Sequence, residues 1–466
     1  MKQIRSHVEL LSADEIELIH KKSLRLLEKT GMKVPNREVR RLAAALGAKA
    51  DDASDIVHLP ADMMEELLKT VRHTSCDAKR TTDTVSKLTG NVSTQIFMVD
   101  YATGERRYGT MDDVRNGIAL IQSLDNIPLA NAVTVPSDVP SALSDVLCYR
   151  EIYKYSKKPG GTYVLTPDSA RYIIEMSRVM GREVSYLFDT ISPLSFAENS
   201  LEIALIFREH QLELTMTPMV MAGSTGPISL AGLLTLQNAE VLGSLFFIYA
   251  ITGRIPKYVA SGHTNDVRHN MFCSFGSPNQ ALIGVGVAQM AAYYGLKCGS
   301  NAGLTDSIFP DFQCGFEKTL STAFSMLAGT EAIGGQGIVG ADQGMSFAQL
   351  VLDNEWIDAF NYVTRGIEVD EDSICLDTIE EVGIGGNFLG EEHTVEYMRE
   401  SSWPGTLFDR DSYENLTSRK HDLLRSADER ARAMIEKNRT DEPVVSEEIA
   451  KELDAIAQHA CKRLGG

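Results

Sequence analysis

Apolar and polar positions divide the chain into regions of different period. Near the N-terminus the period is helical: Ile16, Ile19, Leu24 and Leu27 fall on one stripe. Ser12 and Glu15 form an S-x-x-E capping signal ahead of that stripe, and Gly31 supplies a stop. Two more helices are predicted at "REVRRLAAALG" and "PADMMEELLKTVR". The period then shortens. "KLTGNVSTQIFMVDYATGERRYGT" alternates between turn residues, which predicts short antiparallel strands. Helix resumes at "TMDDVRNGIALIQSLD", with Thr110 as its cap.

From about residue 128 a unit repeats. A short apolar or β-branched segment ends in polar or glycine residues, and a longer helical segment follows. The strand candidates are "LANAVTV", "GTYVLT", "TISPLSF", "LTMTPMVMAG", "KYVASGH", "LKCGSNAG" and "AIGGQGIVG", with an eighth near "VGIGGNF". Such alternation over roughly 240 residues matches a barrel of parallel strands. The expectation is an α/β fold: a (β/α)8 TIM barrel over 128–400, an N-terminal unit of helices and short antiparallel strands over 1–127, and a C-terminal helical extension over 401–466. An open doubly wound sheet is the alternative. It would favour a glycine-rich phosphate turn after its first strand, and no G-x-G-x-x-G stands there.

Composition narrows the function. With 45 basic and 64 acidic residues the net charge is -19, which argues against nucleic acid as a partner. An acidic cavity would attract a cation. The N-terminus "MKQIRSHVELLSADEIEL" has no apolar signal core. The apolar run around "LFFIYAI" falls short of the roughly 20 residues that span a bilayer. A cytoplasmic protein with no membrane partner is expected. The seven cysteines are scattered without C-x-x-C spacing and read as buried, reduced thiols.

In a barrel the chemistry lies at the carboxyl ends of the strands. Those ends carry Tyr163, then Phe196 and Asn199, then Ser224, His263, Asn301 and Asp306, and finally Gln336, Asp342 and Gln343. His and Cys are too sparse there for a zinc site, so no bound metal is expected. A Ser224, His263 and Asp306 triad lacks a G-x-S-x-G elbow. A hydrolase or lyase using His263 and Asp306 stays open as a reading of these residues.

Several stretches agree in order with one family. "MAGSTGPISLAGLLTLQNAEVLG", "GLTDSIFPDFQCGFEK" and "QLVLDNE", flanked by "VDYATGERRYGTMDD" and "NFLGEEHTVEYMRESSWPGTLFDRDSYE", resemble the trimethylamine methyltransferase family from about residue 10 to 440. The resemblance implies a (β/α)8 barrel that moves a methyl group from an amine to the cobalt of a separate, cognate corrinoid protein. It implies no tightly bound cofactor. The trimethylamine enzymes carry pyrrolysine in the loop matching Gly340 to Gln343, where this chain has the ordinary residues "GADQ". It therefore resembles the non-pyrrolysine members, which demethylate quaternary amines such as glycine betaine, proline betaine and carnitine.

A quaternary ammonium leaves as a neutral amine, so positioning replaces acid-base chemistry. Tyr163, Phe196, Phe347 and Phe388 are the candidate aromatic faces, each worth about 0.5–2 kcal/mol to a cation. Asp306 would add counter-charge, and Asp342 and Gln343 would shape the pocket. His263, Asn199, Asn301 and Gln336 would hold a substrate carboxylate, while Arg268 reads as structural. A homo-oligomer is expected from the charged terminal helices. The non-catalytic alternative is a barrel that binds betaine or a related osmolyte.

Overall fold

The computed structural model describes residues 8–75, 87–419 and 422–465. Helix Ala13–Lys29 opens with the expected capping box, in which Ser12 accepts from Glu15 N and the Glu15 carboxylate accepts from Ser12 N. Thr110 and Asp113 make the same reciprocal cap at helix Met111–Ile121. Helices Arg37–Ala45 and Ala61–Ser75 also form where the periodicity placed them. Strands Met32–Lys33, Ile56–His58 and Lys49–Asp51 make a small antiparallel sheet beside them.

The centre is parallel. Tyr258–Ala260 pairs with Cys298–Ser300, that strand with Ala332–Gly334, and that one with Thr89–Asn91. Ser185–Phe188 and Glu213–Met216 form a second parallel pair, with Phe188 opposite Met216. Beyond that pair Ser261 N donates to Pro218 O and His263 N to Val220 O, and His263 stands opposite Met221. On the other flank Gln95 bridges Thr134 in parallel, and Ala130 N and Ala132 N donate to Pro159 O and Gly161 O. Parallel segments therefore follow one another in hydrogen-bonded order: 185–188, 213–222, 258–265, 298–300, 332–334, 89–95, 130–134 and 159–161. Among the described residues no ladder joins the last of these to the first. The result is a mixed α/β fold with a parallel centre and helices outside it.

Three expectations need correction. "VGIGGNF" is not a strand but the turn after helix Leu376–Val382. Gly383 and Gly385 adopt φ of 66° and 77°, and Ile384 between them is fully exposed. The place beside Ala332–Gly334 belongs to Thr89–Asn91, so part of "KLTGNV" is parallel and central, and a boundary at 127 cuts through this sheet. Gly90 is required there: a Cβ would lie 2.8 Å from both Gln336 and Ile357. "TISPLSF" is a turn, and the strand is "SYLF" just before it. Pro193 has no N–H for a ladder, and the buried Glu240 carboxylate instead accepts from Thr190 Oγ1, Ser192 Oγ and Leu194 N.

Helix Leu230–Thr252 is apolar on all sides and, by length and composition, could cross a membrane; 78% of its most apolar window is buried in protein, so it serves as a core helix. The C-terminal helices Leu423–Asn438 and Glu447–Leu464 pack on the outer helical layer. Short helices Glu371–Ile374, Leu376–Val382 and Glu392–Tyr397 bury no side chain. Of the thiols, Cys148, Cys298 and Cys314 are buried as expected, while Cys461 is exposed; Cys76 lies outside the described residues.

Candidate active site

Strand register builds the site. Phe188 stands opposite Met216, so the next residues, Asp189 and Thr217, emerge side by side. The Thr217 hydroxyl donates to Asp189 Oδ1. Burial pushes the Asp189 carboxyl up to about 6, against the pull of that hydrogen bond. Asp342 comes from the turn between strands Ile338–Val339 and Gly344–Met345. Gly340, Ala341 and Asp342 all have positive φ, of 68°, 53° and 63°. For alanine and aspartate this is a costly backbone state of the kind that clusters at functional sites. Gly340 N to Ser307 O and Ala341 N to Thr305 O pin the turn. Gln95 Nε2 donates to Asp342 Oδ1 at 3.0 Å, and burial raises that carboxyl to about 6.

Tyr163 feels the charge of both acids. Its hydroxyl is pushed up to about 12, first by burial and then by Asp189 and Asp342. Both carboxylates are thus within electrostatic reach of one phenol. Tyr163 as a residue is nevertheless 42% exposed, so solvent reaches it. Thr94 and Thr162 hydroxyls, 2.9 Å apart, tie the segments on which Gln95 and Tyr163 ride.

Other polar side chains are buried in the parallel centre. His263 is fully buried; its Nδ1 donates to Gln280 Oε1 at 2.8 Å, and its Nε2 accepts from Ser261 Oγ and Asn301 Nδ2. Burial drives the ring down to about 4, so it is neutral. This imidazole orients Asn301 and is not placed as a proton donor. Gln336 is also fully buried: its Oε1 accepts from Asn91 N, while its Nε2 and Asn91 Oδ1 have no protein partner. Lys318 lies at 0% exposure and donates to Gly303 O, Gly335 O and Asp353 Oδ2, so Asp353 cancels its charge.

Other candidates take structural places. Phe196 is 2% exposed, stacked on Phe188 at 4.7 Å and edge-on to Phe247, so it is core and not a pocket face. Asp306 accepts from Ser274 Oγ, Phe275 N and Gly276 N, which makes it a turn cap and not a free counter-charge. Phe347 begins helix Phe347–Thr364 and packs on the core beneath it. Asn199 is exposed in the first turn of helix Glu198–Glu209. Gln343 is exposed and accepts from Arg106, whose guanidinium lies over Phe97. Phe388 is half-exposed in the segment after helix Leu376–Val382. Sequence reasoning placed Tyr163, His263, Asn301, Gln336 and Asp342 at the strand ends; it missed Gln95, Asp189 and Thr217. The signal for Asp189 was its position directly after the alternating "SYLF".

No group of three or more His, Cys, Asp or Glu side chains able to hold a metal occurs among the described residues. Fold and site define a mixed α/β protein in which two carboxyls raised by burial, Asp189 and Asp342, act electrostatically on one half-exposed tyrosine. The chain belongs to the trimethylamine methyltransferase family, which it matches over residues 1–463. It is 29% identical to a trimethylamine methyltransferase of Desulfitobacterium hafniense (strain DSM 10664 / DCB-2), over 96% of this chain and 93% of that one. It is 27% identical to a glycine betaine methyltransferase of Desulfitobacterium hafniense (strain Y51), with both chains fully covered. The solved monomethylamine methyltransferase of Methanosarcina barkeri is 12% identical, covering 91% of this chain and 92% of that one, at a TM-score of 0.42.

Proposed function

We propose that this protein takes a methyl group from a quaternary amine and passes it to the corrinoid of a separate protein. One observation carries the reading: Asp189 and Asp342 are both within electrostatic reach of the half-exposed Tyr163, and Asp342 occupies the loop where the resemblance puts a covalent electrophile in the trimethylamine enzymes. A cation that is already fully alkylated needs no electrophile. Its N–CH3 bond breaks with both electrons returning to nitrogen, and the product leaves as a neutral amine without a proton. This agrees with a neutral, fully bonded His263 and a fully bonded Asp306.

The corrinoid, brought by its own protein, would supply the nucleophile. This chain's residues bind and orient. The Tyr163 face and the two carboxylates hold the ammonium. Because they favour the charged reactant over a transition state whose charge is dispersing, they serve binding more than rate. Ile96, Val135, Leu165, Ile191, Met219 and Phe272 follow different strand ends and are 41–68% exposed. An apolar rim of this kind suits docking of a partner over the site.

The parallel segments are read as the staves of one (β/α)8 barrel that begins near residue 89. Their hydrogen-bonded order supports this. A cytoplasmic location and a homo-oligomer belong to the same reading, the latter supported by exposed Ile367, Ile384 and Leu389. The test is methyl transfer: protein, a cognate reduced corrinoid protein and a panel of quaternary amines, followed by the corrinoid absorption spectrum. Methylation with at least one amine is expected. Amine binding without any methylation across the panel would leave only an osmolyte-binding role.

A further inference from the structure

We infer that the site at Tyr163 selects a substrate with net positive charge, a quaternary ammonium bearing no carboxylate (the tetramethylammonium or choline class), over a zwitterionic betaine, and that Asp189 and Asp342 set this preference. The inference rests on the methyl-transfer reading for the identity of the site and goes beyond it in substrate class.

The charges around Tyr163 carry the argument. Asp189 has the Thr217 hydroxyl as its hydrogen-bond partner and Asp342 has the Gln95 amide, both of them neutral donors. Lys318 reaches Asp342 only through space and is already bonded to Asp353, with both side chains fully buried. Arg106 is exposed, engaged by Gln343 and lying over Phe97. Arg268 lies in an exposed turn in which Asp266 accepts from its backbone N and from His269 Nδ1. Asp189 and Asp342 are therefore two carboxylates met by neutral donors, while Lys318 and Arg106 are already engaged and Arg268 stands in an exposed turn. In glycine betaine a single methylene separates ammonium from carboxylate. Seating the ammonium at Tyr163 then brings the substrate's own anion against Asp189 or Asp342. The donors left for that anion are neutral: Gln336 Nε2, which has no protein partner, and Asn301, whose amide already donates to His263. A hydroxyl, as in choline, meets no such repulsion and can donate to either carboxylate.

Calorimetric titration of the full chain at pH 8 tests this with tetramethylammonium, choline and glycine betaine. The first two are expected to bind roughly tenfold or more tightly than glycine betaine, a ratio that Coulomb repulsion at such range readily supplies. In Asp189→Asn and Asp342→Asn the ratio should fall, because choline loses affinity while betaine keeps or gains it. Betaine binding as tightly as choline in the unaltered protein would overturn the inference, as would an unchanged ratio in both variants. The unaltered protein gives the ratio directly, so the test survives if a variant fails to fold. The two readings fail separately. Cation preference without methyl transfer refutes the transfer reading alone; methyl transfer with betaine preferred refutes this inference alone.

Discussion

Neutralising Asp342 should make the protein more stable and a worse binder of cations at the same time. Burial raises its carboxyl from 3.8 to about 6. The folded state therefore holds the proton more tightly than the unfolded chain does, and stability falls as pH rises between those values. Above about 6 the full penalty applies. A rise of that size corresponds to about 3 kcal/mol. Asp342 is partly accessible, so solvent screening reduces this to about 1.5 kcal/mol. Asp342→Asn keeps an acceptor for Gln95 and removes the charge, so it should gain that amount at pH 8. The gain should shrink as pH falls from about 6 towards 4, where the native carboxyl is protonated.

For binding, a unit charge about 5 Å from the carboxylate at an effective dielectric of about 20 gains about 3 kcal/mol. Screening again halves it, so choline affinity should fall roughly tenfold. Thermal melts across pH 4.5–8 and calorimetric titration read both quantities. A variant that melts lower at pH 8, or whose gain is the same at pH 4.5, would show that the carboxylate is a structural bond and not a charge held for a ligand.

Three further outcomes follow from other parts of the molecule. His263→Ala should cost about 2–4 kcal/mol, because Gln280, Ser261 and Asn301 lose a shared buried partner. Since burial lowers the folded-state pKa of His263 from 6.5 to about 4, the unaltered protein should lose stability as pH falls through that window and the variant should lose less. Lys318→Met should cost about 3–5 kcal/mol by stranding Asp353, and adding Asp353→Leu should recover much of it in denaturant melts. Phe196→Ala should cost about 3–5 kcal/mol as a core cavity, yet leave choline affinity within about twofold once folded protein is compared; a tenfold loss would return Phe196 to the pocket.

Much was legible in the chain itself. The capping boxes at Ser12 and Thr110 and the alternation of short strands with long helices follow from local pattern. Local pattern suffices there because caps and periodicity are read within one or two turns of backbone. The errors share another cause. "TISPLSF" and "VGIGGNF" have strand-like composition, but ladders need a neighbour, and Glu240 and Thr89–Asn91 took those places from far along the chain.

Residue type likewise announced that Asp306, Asp342 and Asp189 are acids, and nothing more. Packing made the first a turn cap with three donors and left the other two within electrostatic reach of Tyr163, each with a single neutral donor. A carboxylate's chemistry is set by how much water and how many donors surround it. Those surroundings are assembled from separate segments, 28 residues apart at Asp189 and 247 apart at Asp342, so only the tertiary structure decides them.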